Sequence, residues 1–243
     1  MLVGHVAVGM LAKRFEPRLS LASVVFAALL ADLLWGALLA AGVEHVEPVP
    51  GAALNRILGR DIAWSHSLAM LALWGALVAA AYYWRKRTPR GAWILFAAVL
   101  SHWVLDVVTH RPDMPLAPHL PWKLGLGAWN SFPAALVVEG GLWLAAIVVY
   151  VRAFRRRTRA ATIGLWTGIL LLTLTWRRNI EAGVDPDALR AGLGALIFFS
   201  LVVAWAWWLD PPADPATRAA SMADSNPAGT APAPIRRSTP PAC

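Results

Sequence analysis

Val99–Asp113, VLSHWVLDVVTHRPD, places His102, Asp106 and His110 four residues apart inside an otherwise apolar run. On a helix, positions i, i+4 and i+8 lie nearly above one another on one face. Two imidazoles and a carboxylate on one face form a ladder of metal ligands. The run around them is apolar enough for a bilayer. A metal would need further ligands from other segments at the same depth.

The rest of the chain has the same character as this stretch. Of its 243 residues 58% are hydrophobic and 15% charged, and mean hydropathy is +0.54. Soluble domains carry about 25% charged residues. The composition predicts an all-α, polytopic membrane protein whose first partner is the lipid bilayer. Net charge is +8, a value also met in nucleic-acid binders. Here the basic residues sit in short runs between apolar segments, where orienting the chain in a bilayer explains them. No nucleic-acid partner is expected. The single cysteine, Cys243, excludes an intrachain disulfide. No basic run precedes the first apolar stretch, so an ordinary cleaved signal peptide is not expected.

Six spans are predicted: residues 19–42, 64–84, 91–108, 132–150, 160–176 and 191–209. Before them Met1–Ala12 is apolar and, at about 1.5 Å per residue, reaches roughly half of a ~30 Å hydrocarbon core. It is expected to form a short N-terminal half-helix. The loop before the first span carries Lys13, Arg14 and Arg18, the next basic loop Arg85, Lys86, Arg87 and Arg90, and the third Arg152, Arg155, Arg156, Arg157 and Arg159. The loops between them carry little net charge. The alternation places the basic loops in the cytoplasm, with a cytoplasmic C-terminus. Trp64, Trp84, Trp93, Trp129, Trp176 and Trp208 lie near predicted span ends, as interfacial anchors do. Residues 1–209 are read as the transmembrane domain. Residues 210–243, rich in Pro, Ala, Ser and Thr, are read as a disordered tail. No internal repeat is visible, and nothing in the sequence fixes an oligomeric state.

The polar residues inside the spans share a depth. The third span runs outward, so His102 lies roughly 15 Å and Asp106 roughly 21 Å from its cytoplasmic end. His110 reaches the outer interface. Asp32 in the first span lies roughly 18 Å up, and Glu139 in the fourth roughly 10 Å below the outer surface. His66, in the trio Ser65-His66-Ser67, sits near the outer end of the second span. His5 joins them if Met1–Ala12 dips back into the bilayer. A carboxylate at the centre of a membrane helix costs about 2.5–3.5 kcal/mol on insertion scales. A divalent metal with neutral imidazole partners would offset that cost.

These residues resemble the YdjM-like family of bacterial membrane-bound metal-dependent hydrolases. The resemblance rests on His5 in Gly4-His5-Val6-Ala7-Val8-Gly9, Asp32 in Ala31-Asp32-Leu33-Leu34, Ser65-His66-Ser67-Leu68, and His102 with Asp106. It covers roughly residues 1–150. A subset of small membrane proteins is more similar still, through runs matching Ser101–Leu116 and Lys123–Ser131. Typical members carry a second Asp two residues after the first, where this chain has Leu34, and an H-R-G before the T/S-H-S that is missing here. The order His, Asp, His, His-x3-Asp is also similar to the all-helical zinc-dependent phospholipases C. The resemblance implies a bacterial inner-membrane location and a metal-dependent hydrolase activity.

Residues and resemblance together lead to one expectation. His5, Asp32, His66, His102 and Asp106 hold a divalent metal, zinc by ligand type. His110 or Glu139 acts as general base or orients the ligands. Arg111 steadies an anionic group. A site in the outer half of the bilayer points to a lipid or phosphoester substrate. Two other classes stay open at this point. In one, a transporter or ion-pathway protein, the polar residues line a cation or proton path. In the other, a non-enzymatic membrane scaffold, they serve helix packing.

Overall fold

The computed structural model describes residues 1–52, 54–154, 158–179 and 187–210. Its helices are α1 (Val3–Phe15), α2 (Leu21–Ala40), the single turn α3 (Ala63–His66), α4 (Leu68–Lys86) and α5 (Pro89–Thr109). They are followed by α6 (Phe132–Ala153), α7 (Arg159–Asn179) and α8 (Ala188–Leu209). Six of them, α2 and α4 to α8, are long and apolar enough to cross a membrane. The chain is a multi-pass helical membrane protein.

Local chemistry sets the helix starts. Ser20 caps α2 by accepting from Ser23 N, and Asp187 caps α8 by accepting from Arg190 N. Pro89 opens α5 directly after a turn in which Arg87 takes a left-handed conformation, φ 55°. The expected second span is broken near its start. Ser67 leaves the helical region (ψ 148°) and its side chain accepts from Met70 N, so α4 begins at Leu68 and Ser65-His66 stand outside it on α3. A serine whose hydroxyl caps the following turn ends one helix and begins the next.

Successive spans run in opposite directions between a basic end and an end built from loops. At the loop end, strands β1 (His45–Pro48) and β2 (Ile57–Asp61) pair antiparallel, with a bulge between His45 and Val46. A second short pair, β3 (Met114–Pro115) with β4 (Lys123–Leu124), lies in the loop after α5. Helix α1 is apolar on nearly all sides and is buried on nearly all sides. It packs against α2, α5 and α6, and Val3, Val6, Ala7 and Met10 have no exposed surface. Its last turn lies at the basic end, where Lys13 Nζ donates to Leu19 O at 2.7 Å and pairs with Asp210 Oδ2. Asp210 also accepts from Leu21 N, so it joins the ends of α8, α1 and α2. Of the expected 210–243 tail only Asp210 lies within the described residues.

Two of the six expected tryptophan anchors are core residues. Trp129 and Trp176 are buried, whereas Trp84 and Trp93 are well exposed. Trp129 sits in a short 3-10 turn (Ala128–Asn130) that folds back under the loops, and its indole N–H finds a carboxylate there. Position near a span end did not reveal that inward turn.

Candidate metal centre

Helix α5 supplies the ladder. His102 and Asp106 are 1% exposed, one turn apart, with Nε2 of the first 3.1 Å from Oδ2 of the second. His102 Nδ1 lies 2.8 Å from the carbonyl oxygen of Ala28 on α2. A carbonyl only accepts, so Nδ1 carries a proton, and in the neutral ring the Nε2 lone pair turns inward. Nε2 has no hydrogen-bond partner, and neither has Asp106 Oδ2.

His66 is oriented in the same sense by a longer relay. Glu44, fully buried between α2 and the hairpin, accepts from Ser65 N at 2.8 Å with Oε1 and from Ser65 Oγ with Oε2. Having donated its one proton to the carboxylate, the Ser65 hydroxyl accepts from His66 Nδ1 at 2.7 Å. His66 Nε2 is then a free lone pair. It faces Asp32 Oδ1 and Asp106 Oδ2, each 3.8 Å away. Asp32 Oδ1 lies 3.8 Å from His102 Nε2 as well, and Asp32 Oδ2 lacks a partner.

The chain therefore aims two imidazole lone pairs and two carboxylates at one point in an apolar interior. Donor atoms of His66, His102 and Asp106 lie within 4.8 Å of one another, as do those of His5, Asp32 and His102. Bonds of roughly 2.0–2.1 Å to a tetrahedral ion set neighbouring donors about 3.3 Å apart. The 3.1 and 3.8 Å separations here bracket that value. Buried acceptors facing one another without protons need a cation between them. The groups could hold a metal ion, and the orphaned Nε2 and Oδ2 atoms fit one.

His5, on the buried α1, completes the cluster. Its ring stacks on His102 with centroids 3.5 Å apart and planes 9° from parallel. Its Nε2 lies 3.1 Å from Asp106 Oδ1. The α-amino group of Met1 donates to the same Oδ1 at 2.7 Å. It supplies one positive charge on the face of Asp106 turned away from Oδ2.

His110 stands at the loop end of the ladder. Its Nδ1 lies 3.0 Å from Asp113 Oδ1 and its Nε2 3.7 Å from Asp106 Oδ1. A carboxylate accepts, so His110 also presents Nε2 to the site. Asp113 is buried, and its other oxygen accepts from Gly59 N on β2. Glu139 lies one residue further out. It sits in a π-helical turn of α6 (Leu136–Gly140), accepts from Trp129 Nε1 at 2.7 Å, and reaches His110 only through the Trp129 ring, whose centroid is 4.2 Å from that of His110. Arg111 turns the other way. Its guanidinium donates to the carbonyls of Leu54 and Asn55 in the hairpin loop. Lys123 likewise donates to the carbonyls of Gly59 and Arg60. The two cations fasten the hairpin over the site.

Beneath the hairpin lies a cavity of about 460 Å³. Asp32, His66, Asp106 and His110 are among the residues that line it. Trp35 of α2, Thr175 and Asn179 of α7 and Ala195, Phe198 and Phe199 of α8 also line it.

Sequence reading thus named His5, Asp32, His66, His102, Asp106 and His110, and the fold brings these together. It passed over Glu44 and gave Asp113 no part in the site. Glu44 is 21 residues from Ser65, and no spacing rule links them. Asp113 follows His110 at i+3 across a proline, a weaker signal that was visible.

No curated protein and no solved structure gives a match to the chain. One protein family does, over residues 1–182, a segment that runs from α1 through α7 and holds every residue of the cluster. By that match the chain belongs to the YdjM inner membrane protein family.

Proposed function

We propose that the chain is an integral-membrane, metal-dependent hydrolase acting on a lipid or phosphoester substrate in the outer half of the bacterial inner membrane. One observation carries the reading: His66 and His102 each spend Nδ1–H on a fixed acceptor, Ser65 Oγ and Ala28 O, and turn Nε2 toward the carboxylates of Asp32 and Asp106. His5 packs against His102 as the fifth member of the set. Zinc suits two or three imidazoles with one or two carboxylates. A divalent ion there supplies Lewis acidity that activates water at neutral pH.

The chain's own groups divide the remaining work. His110, held by Asp113, offers an Nε2 lone pair beside the cluster and takes the proton from the attacking water as general base. Glu139 acts through Trp129, which fixes the His110 ring from its other face. Arg111 contributes by anchoring the hairpin, since its guanidinium is committed to Leu54 and Asn55 carbonyls. A through-going cation path fits less well. Among the described residues, the buried charged and imidazole side chains cluster at the loop end, and Lys13 alone lies at the basic end. The intervening turns of α1 and α2 present Val6, Met10, Val24 and Leu29.

Metal analysis of the purified protein tests the reading. We expect about one zinc per chain in the wild type and none in the His102→Ala, Asp106→Ala double variant. No metal in either protein, after exposure to zinc, overturns it.

A further inference from the structure

The cavity has a second limb that the metal chemistry does not use. Besides Asp32, His66, Asp106 and His110, the cavity is lined by Trp35 on α2, by Ala195, Phe198 and Phe199 on α8, and by Thr175 and Asn179 of α7. Gly194 lies on the same wall, and a Cβ added there meets nothing within 4 Å. Among the described residues no lysine or arginine lines the cavity. The lining is thus polar at its two carboxylates and apolar along α8, which has only hydrogen for a side chain at Gly194, facing open space.

We propose that this limb is the binding site for one alkyl or acyl chain, and that the substrate is a single-chain amphiphile with an uncharged or singly charged head. The proposal rests on the hydrolase reading for the fate of the head, and stands on the cavity for the chain. Three features support it. A volume of about 460 Å³ falls low in the roughly 300–1,000 Å³ range of small-molecule sites, enough for one chain and a head but not for a two-chain lipid. Among the described lining residues the side-chain donors are neutral, and the one cationic group, the α-amino group of Met1, is already paired with Asp106, so a polyanionic head would face Asp32 and Asp106 with no free counter-charge from the chain itself. The long faces of α8 at Leu193, Ile197 and Leu201 are exposed as lipid-facing residues are, which places the opening at Gly194 beside the acyl region. In that medium a chain gains little from apolarity alone. The limb instead fixes its depth, and with it the height of the head beside His66 and His110.

Photolabelling tests this. The full chain is placed in phosphatidylethanolamine and phosphatidylglycerol nanodiscs with a monoacylglycerol carrying a mid-chain diazirine. After irradiation, labelled residues are mapped by peptide mass spectrometry and zinc is measured on the same samples. Label concentrated at residues 194–199 and Trp35, falling about tenfold in Gly194→Trp, supports the proposal. Ala195→Phe, which narrows the same limb, should act alike if Gly194→Trp does not fold. Label spread evenly over Leu193, Ile197 and Leu201 and indifferent to both substitutions overturns it. So does equal labelling of the same residues by a diacylglycerol probe, or equal competition by monoacetylglycerol. Concentrated, substitution-sensitive label on protein that binds no zinc supports the chain site while overturning the hydrolase reading. Bound zinc with evenly spread label does the reverse.

Discussion

At His66, one proton decides whether the ring can bind a metal. The Glu44–Ser65–His66 relay runs in one direction because a carboxylate accepts from the serine, which leaves the serine to accept from the imidazole. Glu44→Gln reverses it. The amide oxygen still takes Ser65 N–H, the amide NH₂ now donates to Oγ, and the hydroxyl donates to Nδ1, forcing the proton onto Nε2. We expect Glu44→Gln to weaken zinc binding by about 10–100-fold, the usual cost of losing a partner behind a metal-bound imidazole. Ser65→Ala should give a similar loss. Chelator competition on folded, detergent-purified protein measures both; wild-type affinity in both would remove the relay from the site. The same logic at His110 predicts a different outcome. His110→Ala should slow hydrolysis of a long-chain p-nitrophenyl ester by about 10²–10⁴-fold, the range for a general base, with zinc content unchanged. Joint loss of zinc and activity would place His110 among the ligands. The i+4 spacing made His102, Asp106 and His110 legible in the sequence. Glu44 was not legible, because the connection through the chain is a loop whose course depends on the hairpin.

At the scale of elements, two close approaches place the site. Helix α2 carries Asp32 and the carbonyl of Ala28, and α8 carries the apolar cavity wall, so their crossing sets the width of the cavity. They meet where Gly36 faces Leu196 N at 2.9 Å from a built Cβ, and Gly192 faces Ala40 N at 2.5 Å. These contacts are with backbone, which cannot rotate away. Gly192→Leu should therefore force α8 off α2, at a cost of about 1–3 kcal/mol as overpacking does. A thermal unfolding scan in detergent should show a clear fall in Tm, and a Tm equal to wild type would mean the two helices do not cross this tightly in solution. Neither glycine announced itself in the sequence, since an isolated glycine in an apolar span also fits a lipid-facing position. The spans themselves were legible within a few residues, because bilayer thickness fixes their length. The second span was set too early at Trp64. Ser65-His66-Ser67 is a polar interruption short enough to fit inside a span, and only the capping hydroxyl of Ser67 shows that the helix restarts.

For the whole molecule, the decisive quantity is which side of the membrane the hairpin faces, because the cavity opens beneath it. Lys13, Arg14, Arg85, Lys86, Arg87, Arg90, Arg152 and Arg159 gather at the opposite end. From the positive-inside rule we propose that this end is cytoplasmic, that the hairpin faces the periplasm and that the end of α8 returns to the cytoplasm. The single native cysteine makes this directly measurable. In a Cys243→Ser background, Gly51→Cys places a thiol at the hairpin loop, where a Cβ meets nothing within 4 Å and the cost is the backbone strain of a side chain at φ 76°. Arg87→Cys places one in the exposed α4–α5 turn. Intact spheroplasts treated with a membrane-impermeant maleimide should label Gly51→Cys fully, and Arg87→Cys only after lysis. The reverse pattern would turn the protein over and put the His/Asp cluster in the inner half of the bilayer. A substrate would then have to arrive from the cytoplasmic leaflet, and the depth argument that joined Asp32, His66, His102 and Asp106 would survive with its sign changed. The cluster depends on relative depth alone, whereas the identity of the lipid pool it meets depends on the charge of the loops.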